Sequence, residues 1–237
     1  MVVHNSYAVE NTEPRPESYR EDWVTANNKS YYATSGIIYP ETTPLNEAQK
    51  ATLYADLASG AESGMDYTVR WISNPSDAVD DVYFPLRSLN TANIVGVDLN
   101  SILYANEITI AGYLRDGGDH TRAAEFEGMA KNRSASMYEL MWNEKHFSYF
   151  DYNLTSKAQA VYVVADKDAT ESEKAGAPEG QMVLFTPSQY YPFWMGSAPE
   201  HLKNNPLAVR NAYQRVAKFL EDKPGAIAAS NLQTGQQ

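Results

Sequence analysis

The sequence predicts a mostly helical chain of paired helices and long loops, an α/α architecture whose loops build a site at one end. Three observations carry this. Four stretches place apolar residues three and four apart, the spacing that lines one face of a helix. Helix-starting residues (Asp, Asn, Thr, Pro) precede these stretches, and glycines or prolines follow most of them. Strand-like alternation is confined to one short run, Phe147-Ser148-Tyr149-Phe150-Asp151-Tyr152.

The first helix is predicted from Thr43-Pro44, an N-cap followed by proline at the first helical position, to about Ser59-Gly60. Leu53, Tyr54 and Leu57 form its apolar stripe. The second runs from Asp98, its N-cap, to Leu114, with Leu99, Ile102, Leu103, Ile110 and Leu114 on one side and Gly117-Gly118 as its stop. The third spans Thr121 to Trp142 and carries Phe126, Ala130, Met137, Leu140 and Met141 at helical spacing. The run Phe147 to Tyr152 then predicts a short hairpin strand. Residues 166–180, rich in Lys, Asp, Glu, Ala and Gly, read as an exposed loop. The fourth helix starts at Asn205-Pro206, continues through Val209, Ala212, Tyr213, Val216, Phe219 and Leu220, and stops before Pro224-Gly225. These stripes are core positions, not a cofactor box.

With 237 residues and 43% hydrophobic content, the chain can bury a sizeable core and is not globally disordered. A net charge of -11 argues against nucleic acid as a partner, because that affinity rests on Lys and Arg neutralising phosphates. It equally argues against anionic membranes and leaves a neutral substrate as the natural counterpart. No apolar run is long enough to span a membrane. Cysteine is absent, so disulfides and thiol nucleophiles are excluded. Residues Met1 to Asn11 lack the basic start and apolar centre of a signal peptide. Three acceptor sequons, at Asn28, Asn132 and Asn153, tilt the expected compartment toward the exterior over the cytoplasm.

The chemistry concentrates in two short clusters. In Ala61-Glu62-Ser63-Gly64-Met65-Asp66-Tyr67-Thr68-Val69-Arg70-Trp71, one carboxylate, Asp66, follows the end of a helix, with a second carboxylate, an arginine and aromatic rings within five residues. Glycosidic cleavage uses such a set: an acid kept protonated by burial or nearby negative charge, charged groups for hydroxyls, and rings for sugar faces. Arg70 pairs with Glu62 or reaches a sugar hydroxyl. On spacing alone, the commoner role for Asp66 is capping the backbone of the turn. In Pro14-Arg15-Pro16-Glu17-Ser18-Tyr19, prolines fix the backbone around a guanidinium and a carboxylate, a set that grips adjacent hydroxyls or forms a surface ion pair. The four histidines, His4, His120, His146 and His201, have no metal-ligand spacing, and Asp77, Asp80 and Asp81 do not fit a calcium loop. Neither a metal nor an organic cofactor is expected.

At these residues the chain resembles the α,α-trehalase family of glycoside hydrolases (family thirty-seven). The resemblance rests on Pro14 to Tyr19, Ala61 to Asp66 with Arg70-Trp71, and Val97-Asp98-Leu99-Asn100 leading into Leu103-Tyr104 and Glu107. It continues at Trp142-Asn143-Glu144 with Phe150-Asp151-Tyr152. The closing Thr234-Gly235-Gln236-Gln237 is similar to the start of the family's tryptophan-rich signature. Five matches recur in order from residue 14 to the last residue.

The resemblance implies an (α/α)6 barrel and hydrolysis of trehalose to two glucose molecules with inversion, without a cofactor. It implies that Asp66 is the general acid and that Arg15, Pro16, Glu17 and Gly64 bind the sugar, Gly64 through its backbone. Inversion also needs a base carboxylate on the far face, with the two carboxyls roughly 6.5–9.5 Å apart. In the family that base is a Glu well after the tryptophan-rich signature. Residues 1–237 are therefore expected to form the central part of a single catalytic domain and to lack activity by themselves. Met65 stands where the family usually has Trp, and Thr68-Val69 departs from its small hydroxyl pair. Two alternatives stay open at this point: a non-catalytic sugar-binding protein on the same scaffold, and another inverting α-glucosidase.

Overall fold

A computed structural model describes residues 4–27, 44–65, 67–73, 86–165, 167–222 and 228–232. The chain is predominantly helical, with a few short antiparallel sheets, as its sequence predicts. Its contacts divide it into two compact units, one of Tyr7–Asn93 and one built mainly of Ile94–Gln233 with the first six residues.

In the Tyr7–Asn93 unit, a 3-10 turn over Pro16–Ser18 leads into α1 (Tyr19–Asn27). Helix α1 has no apolar stripe; only Asp22 and Ala26 are buried, and Trp23 is exposed. It is held by polar bonds instead. Arg87 donates to the carbonyls of Thr25 (2.6 Å) and Ala26 (3.2 Å) at its C-terminal end, where unpaired helix carbonyls need donors.

Helix α2 (Glu47–Glu62) starts three residues later than its sequence suggests. Asn46 is the N-cap. Its side chain accepts from Gln49 N–H (2.9 Å), and the Gln49 side chain accepts from Asn46 N–H (3.0 Å), so two orphan donors are satisfied reciprocally. Thr43 lies outside the described residues. Leu53, Tyr54 and Leu57 are buried as expected. The helix passes Gly60 and ends at Glu62, because Ser63 closes the turn: its hydroxyl donates to Gly60 C=O (2.6 Å) and accepts from Met65 N–H (3.1 Å).

Asp56 of α2 is buried and accepts from Ala92 N–H (2.8 Å), tying α2 to the 3-10 turn Thr91–Asn93. Burial raises its carboxyl pKa, outweighing the backbone hydrogen bonds from Ala92 and Thr91 that favour the ionised form. An acid whose pKa is raised on folding contributes most below the ordinary carboxyl range and loses that contribution as pH rises through the folded value. Asp56→Asn, uncharged and still an acceptor, should therefore gain stability relative to the wild type between about pH 4 and pH 7. Urea midpoints at the two pH values check this, and an unchanged difference would refute it.

The other unit begins with β1 (Ile94–Val95) and the helical hairpin α3 (Val97–Asp116) and α4 (His120–Met141). Asp98 is not the N-cap of α3; Gly96 is. Asp151, distant in sequence, accepts from the first helical N–H at Val97 (2.9 Å). The predicted stripe of α3 is not its most buried face either. Leu99, Ile102, Leu103 and Leu114 are half-buried and Ile110 is exposed, whereas Asn100, Ser101 and Ala111 are buried. The cause is the packing partner: Arg133 of α4 is buried and bonds to Asn100 (2.9 Å). Asp119 caps α4 through Arg122 N–H (3.1 Å), and Ala130, Met137 and Met141 are buried as expected.

The run predicted as one strand divides between two sheets. Trp142–Asn143 (β2) pairs with Ser148–Tyr149 (β3), and Phe147 takes a positive φ of 46° in the connecting turn. Tyr152–Asn153 (β4) pairs with β1 and with Ala158–Gln159 (β5). Trp142 and Tyr149 face each other across the hairpin with ring centres 5.1 Å apart, and both belong to a core with Val95, Met137, Met141 and Leu202.

A further hairpin joins Tyr162–Val164 (β6) to Gln181–Val183 (β7). Between them α5 (Glu171–Lys174) makes one helical turn with a Thr170/Glu173 capping box, inside the stretch whose composition marks it as a loop. Short helices α6 (Tyr191–Trp194) and α7 (Glu200–Lys203) lead to α8 (Pro206–Asp222). The Asn205 side chain accepts from Leu207 N–H (2.9 Å), the start expected from Asn205-Pro206. Ala208 and Ala212 of α8 are buried, but Tyr213 is half exposed and packs on Tyr190. Val216, Phe219 and Leu220 fall outside the described side chains, as Pro224-Gly225 fall outside the described residues. No described helix is long and apolar enough to cross a membrane.

Candidate active site

Both chemistry-bearing clusters fall in the Tyr7–Asn93 unit. Pro16 opens the 3-10 turn with its fixed φ, and Arg15 precedes it in extended backbone. This puts the Arg15 side chain back along α1 and onto Asp22. Arg15 Nε donates to Asp22 Oδ2 (2.8 Å) and Nη2 to Oδ1 (2.7 Å), a two-pronged pair. The Arg15 backbone N–H donates to Oδ2 as well (3.0 Å). Asp22 is 1% exposed. These bonds raise the Arg15 pKa above its ordinary value despite partial burial, with smaller support from the charge of Glu17. Pro16 and Glu17 are exposed.

The second cluster follows α2. Gly64 takes φ +68°, a left-handed conformation that side-chain-bearing residues disfavour, although a Cβ there would meet open space. The glycine is thus required by backbone conformation and not by crowding. Thr68 caps the 3-10 turn Val69–Trp71 by accepting from Arg70 N–H (3.2 Å). Arg70 is buried. Its guanidinium lies 4.6 Å from the Trp71 ring centre, and Nη1 is 3.0 Å from the Met65 sulfur, a weak acceptor. Met65 therefore packs on an arginine where the family usually places an indole. Glu62 is exposed at the end of α2. Trp71 is fully buried, with Tyr7 edge-on at 6.2 Å.

Arg15 and Tyr67 join the clusters: the guanidinium lies 5.5 Å from the centre of the Tyr67 ring, whose hydroxyl donates to Leu57 C=O of α2 (3.3 Å). The segment around Arg15-Pro16-Glu17 is thereby brought to the turn that follows Gly64. Asp66 itself lies outside the described residues, as do Asp77, Asp80, Asp81 and Thr234 to Gln237. Asp22 and Tyr67 are the residues that reading the sequence does not single out as partners of Arg15. The available signal for Asp22 is a lone apolar-poor helix whose carboxylate stands seven residues after an arginine–proline step.

A second polar centre occupies the other unit. Arg133 forks onto Glu107 (2.7 and 3.1 Å) and donates to the side-chain oxygens of Asn5 (2.8 Å) and Asn100 (2.9 Å). Asn100 and Glu107 are two of the family-matching positions, and their described bonds are structural. Among the described residues no group of three or more His, Asp or Glu side chains is placed to hold a metal ion.

The chain is 36% identical to a trehalase of Dictyostelium discoideum over 153 residues, 65% of this chain and 22% of that protein. It is 28% identical to a periplasmic trehalase of Salmonella choleraesuis over 236 residues, 99% of this chain and 32% of that protein. Among solved structures, the neutral trehalase Nth1 of Saccharomyces cerevisiae matches 78% of this chain and 30% of its own, with a TM-score of 0.41 and 19% identity. The chain thus spans between about a fifth and a third of the length of these relatives. The trehalase family model matches residues 1–237, and the chain belongs to the trehalase family.

Proposed function

We propose that this chain contributes the acid side of an inverting α,α-trehalase site, hydrolysing trehalose to two glucose molecules. The observation that carries the reading is the family match along residues 1–237, within which the two clusters keep their order. Asp66 is the general acid that protonates the bridging oxygen. Arg15 and Glu17 hold sugar hydroxyls, and Pro16 and the Gly64 backbone complete that contact. The join between Arg15 and Tyr67 supports this, because it draws a sugar-gripping guanidinium toward the residue that follows the acid. A neutral disaccharide also suits a chain of net charge -11, since the protein's field neither attracts nor repels it. A second carboxylate must activate water on the opposite face of the ring.

The test uses protein made from the complete reading frame. Trehalose should yield glucose, and proton NMR at early times should show α- and β-glucose in equal amounts. Inversion makes β-glucose from the attacked ring, while the departing glucose keeps its α configuration. Early release of α-glucose alone would refute the inverting mechanism. Turnover of another α-glucoside with trehalose left intact would refute the substrate.

A further inference from the structure

We propose that Asp22 is a positioning residue, holding the Arg15 guanidinium so that its outer edge meets two adjacent hydroxyls of a pyranose ring. The proposal rests on the reading of the reaction given above and adds to it a residue that no motif position supplies. Arginine carries five N–H donors in a rigid planar fork. Asp22 takes the inner edge: one carboxylate oxygen accepts from Nε and the other from Nη2, at 2.8 and 2.7 Å. The third bond, from the Arg15 backbone N–H at 3.0 Å, locks the carboxylate to the same residue's main chain. Tyr67 lies against the guanidinium with its ring centre 5.5 Å away. One edge and one contact surface are thereby fixed. Both Nη1 donors and the outer Nη2 donor have no hydrogen-bond partner among the described residues. The Arg15 side chain keeps 12% of its exposure, whereas that of Asp22 keeps 2%. Arg15 is thus the member that can touch a ligand, and Asp22 acts through it.

The pairing also selects the class of ligand. A free arginine attracts anions, but this one shares its charge with a carboxylate two hydrogen bonds away. Long-range attraction for a phosphate or carboxylate is largely cancelled, and the directed donors remain. Such a group suits a neutral polyol, whose recognition depends on donor geometry more than on charge. Helix α1 buries little apart from Asp22 and Ala26, so apolar packing alone does not account for a carboxylate at this place.

Asp22→Asn, Asp22→Glu, Arg15→Lys and the double variant Asp22→Asn/Arg15→Lys, each in protein from the complete reading frame, decide the matter through kcat, KM and melting temperature. Asp22→Asn should lower kcat/KM for trehalose by about 10²-fold, the scale of an ångström-sized misplacement of a substrate-positioning group. In the Arg15→Lys background the same change should cost no more than about 2-fold, because the residue it acts through is already altered. Should Asp22→Asn fail to fold, Asp22→Glu decides: it keeps the charge and should keep the melting temperature, yet its extra methylene displaces the guanidinium and should lower kcat/KM about 10-fold. Wild-type kcat/KM in a folded Asp22→Asn or Asp22→Glu protein overturns the positioning role alone. So does a loss from Asp22→Asn that is equally large with Lys at position 15. A wild-type protein that leaves trehalose intact overturns the reading of the reaction, and this proposal with it.

Discussion

Asp66→Asn should lower kcat on trehalose by about 10²–10⁴-fold in protein from the complete reading frame, with little change in KM or melting temperature. The leaving group is a sugar hydroxyl, which departs as an alkoxide only at great cost and so needs a proton as the bond breaks. An amide fills the space of the acid and keeps a hydrogen-bonding oxygen but has no acidic proton to give. Loss of this one group should therefore appear in kcat. The assignment has a second signature. α-Glucosyl fluoride has a leaving group that depends far less on protonation, so the defect of Asp66→Asn should shrink on that substrate relative to trehalose. Normal turnover of trehalose by the variant would show that the proton comes from elsewhere. An equal loss on both substrates would point to a general defect of the site and not to a missing acid.

The parts of the fold that could be read from the sequence are those where burial is apolar. Leu53, Tyr54 and Leu57 of α2, and Ala130, Met137 and Met141 of α4, lie where their spacing puts them, because a stripe of hydrocarbon has one favourable place to go. Helix α3 was legible in extent but not in orientation: its buried face carries Asn100, which accepts from Arg133 33 residues away along the chain, and Ser101, whose hydroxyl accepts from Ser197, partners that periodicity does not register. Helix α1 escaped for the same reason. It is anchored by the Arg15–Asp22 pair and by Arg87 against its last carbonyls. The strand run was divided because β1, which pairs with β4, is two residues long and lies some 58 positions upstream, as the Ile94–Asn153 and Val95–Tyr152 register shows. At the site, Arg15 and Gly64 stood out by motif. Asp22 did not, since a carboxylate on a polar helix is an ordinary surface residue until its partner is known.

Arg133→Ala should destabilise the unit that contains α3 and α4 by about 3–5 kcal/mol at neutral pH, the cost of breaking a buried ion pair from one side. The guanidinium is enclosed: the Arg133 side chain keeps 7% of its exposure and that of Glu107 keeps 12%. Four acceptor atoms depend on it, both carboxylate oxygens of Glu107 and the side-chain oxygens of Asn5 and Asn100. Asn100 is fully buried and cannot turn to water. Its oxygen keeps the N–H of Asn5 (2.9 Å), and its amide group still donates to the carbonyls of Asn5 (2.8 Å) and Gly96 (2.9 Å), so the segment at Asn5 should stay tethered while Glu107 is left as a nearly buried, unpaired charge. The expected loss is therefore dominated by Glu107, and this can be separated. Adding Glu107→Leu to Arg133→Met removes both charges, and the double variant should recover much of the stability lost by either change alone. Urea unfolding of the single and double variants measures the coupling. Against a total stability of about 5–15 kcal/mol for a typical domain, the single change alone would populate unfolded protein at moderate temperature. A loss below about 1 kcal/mol from Arg133→Ala would mean that desolvation already cancels the pair and that the α3–α4 contact rests on its apolar residues.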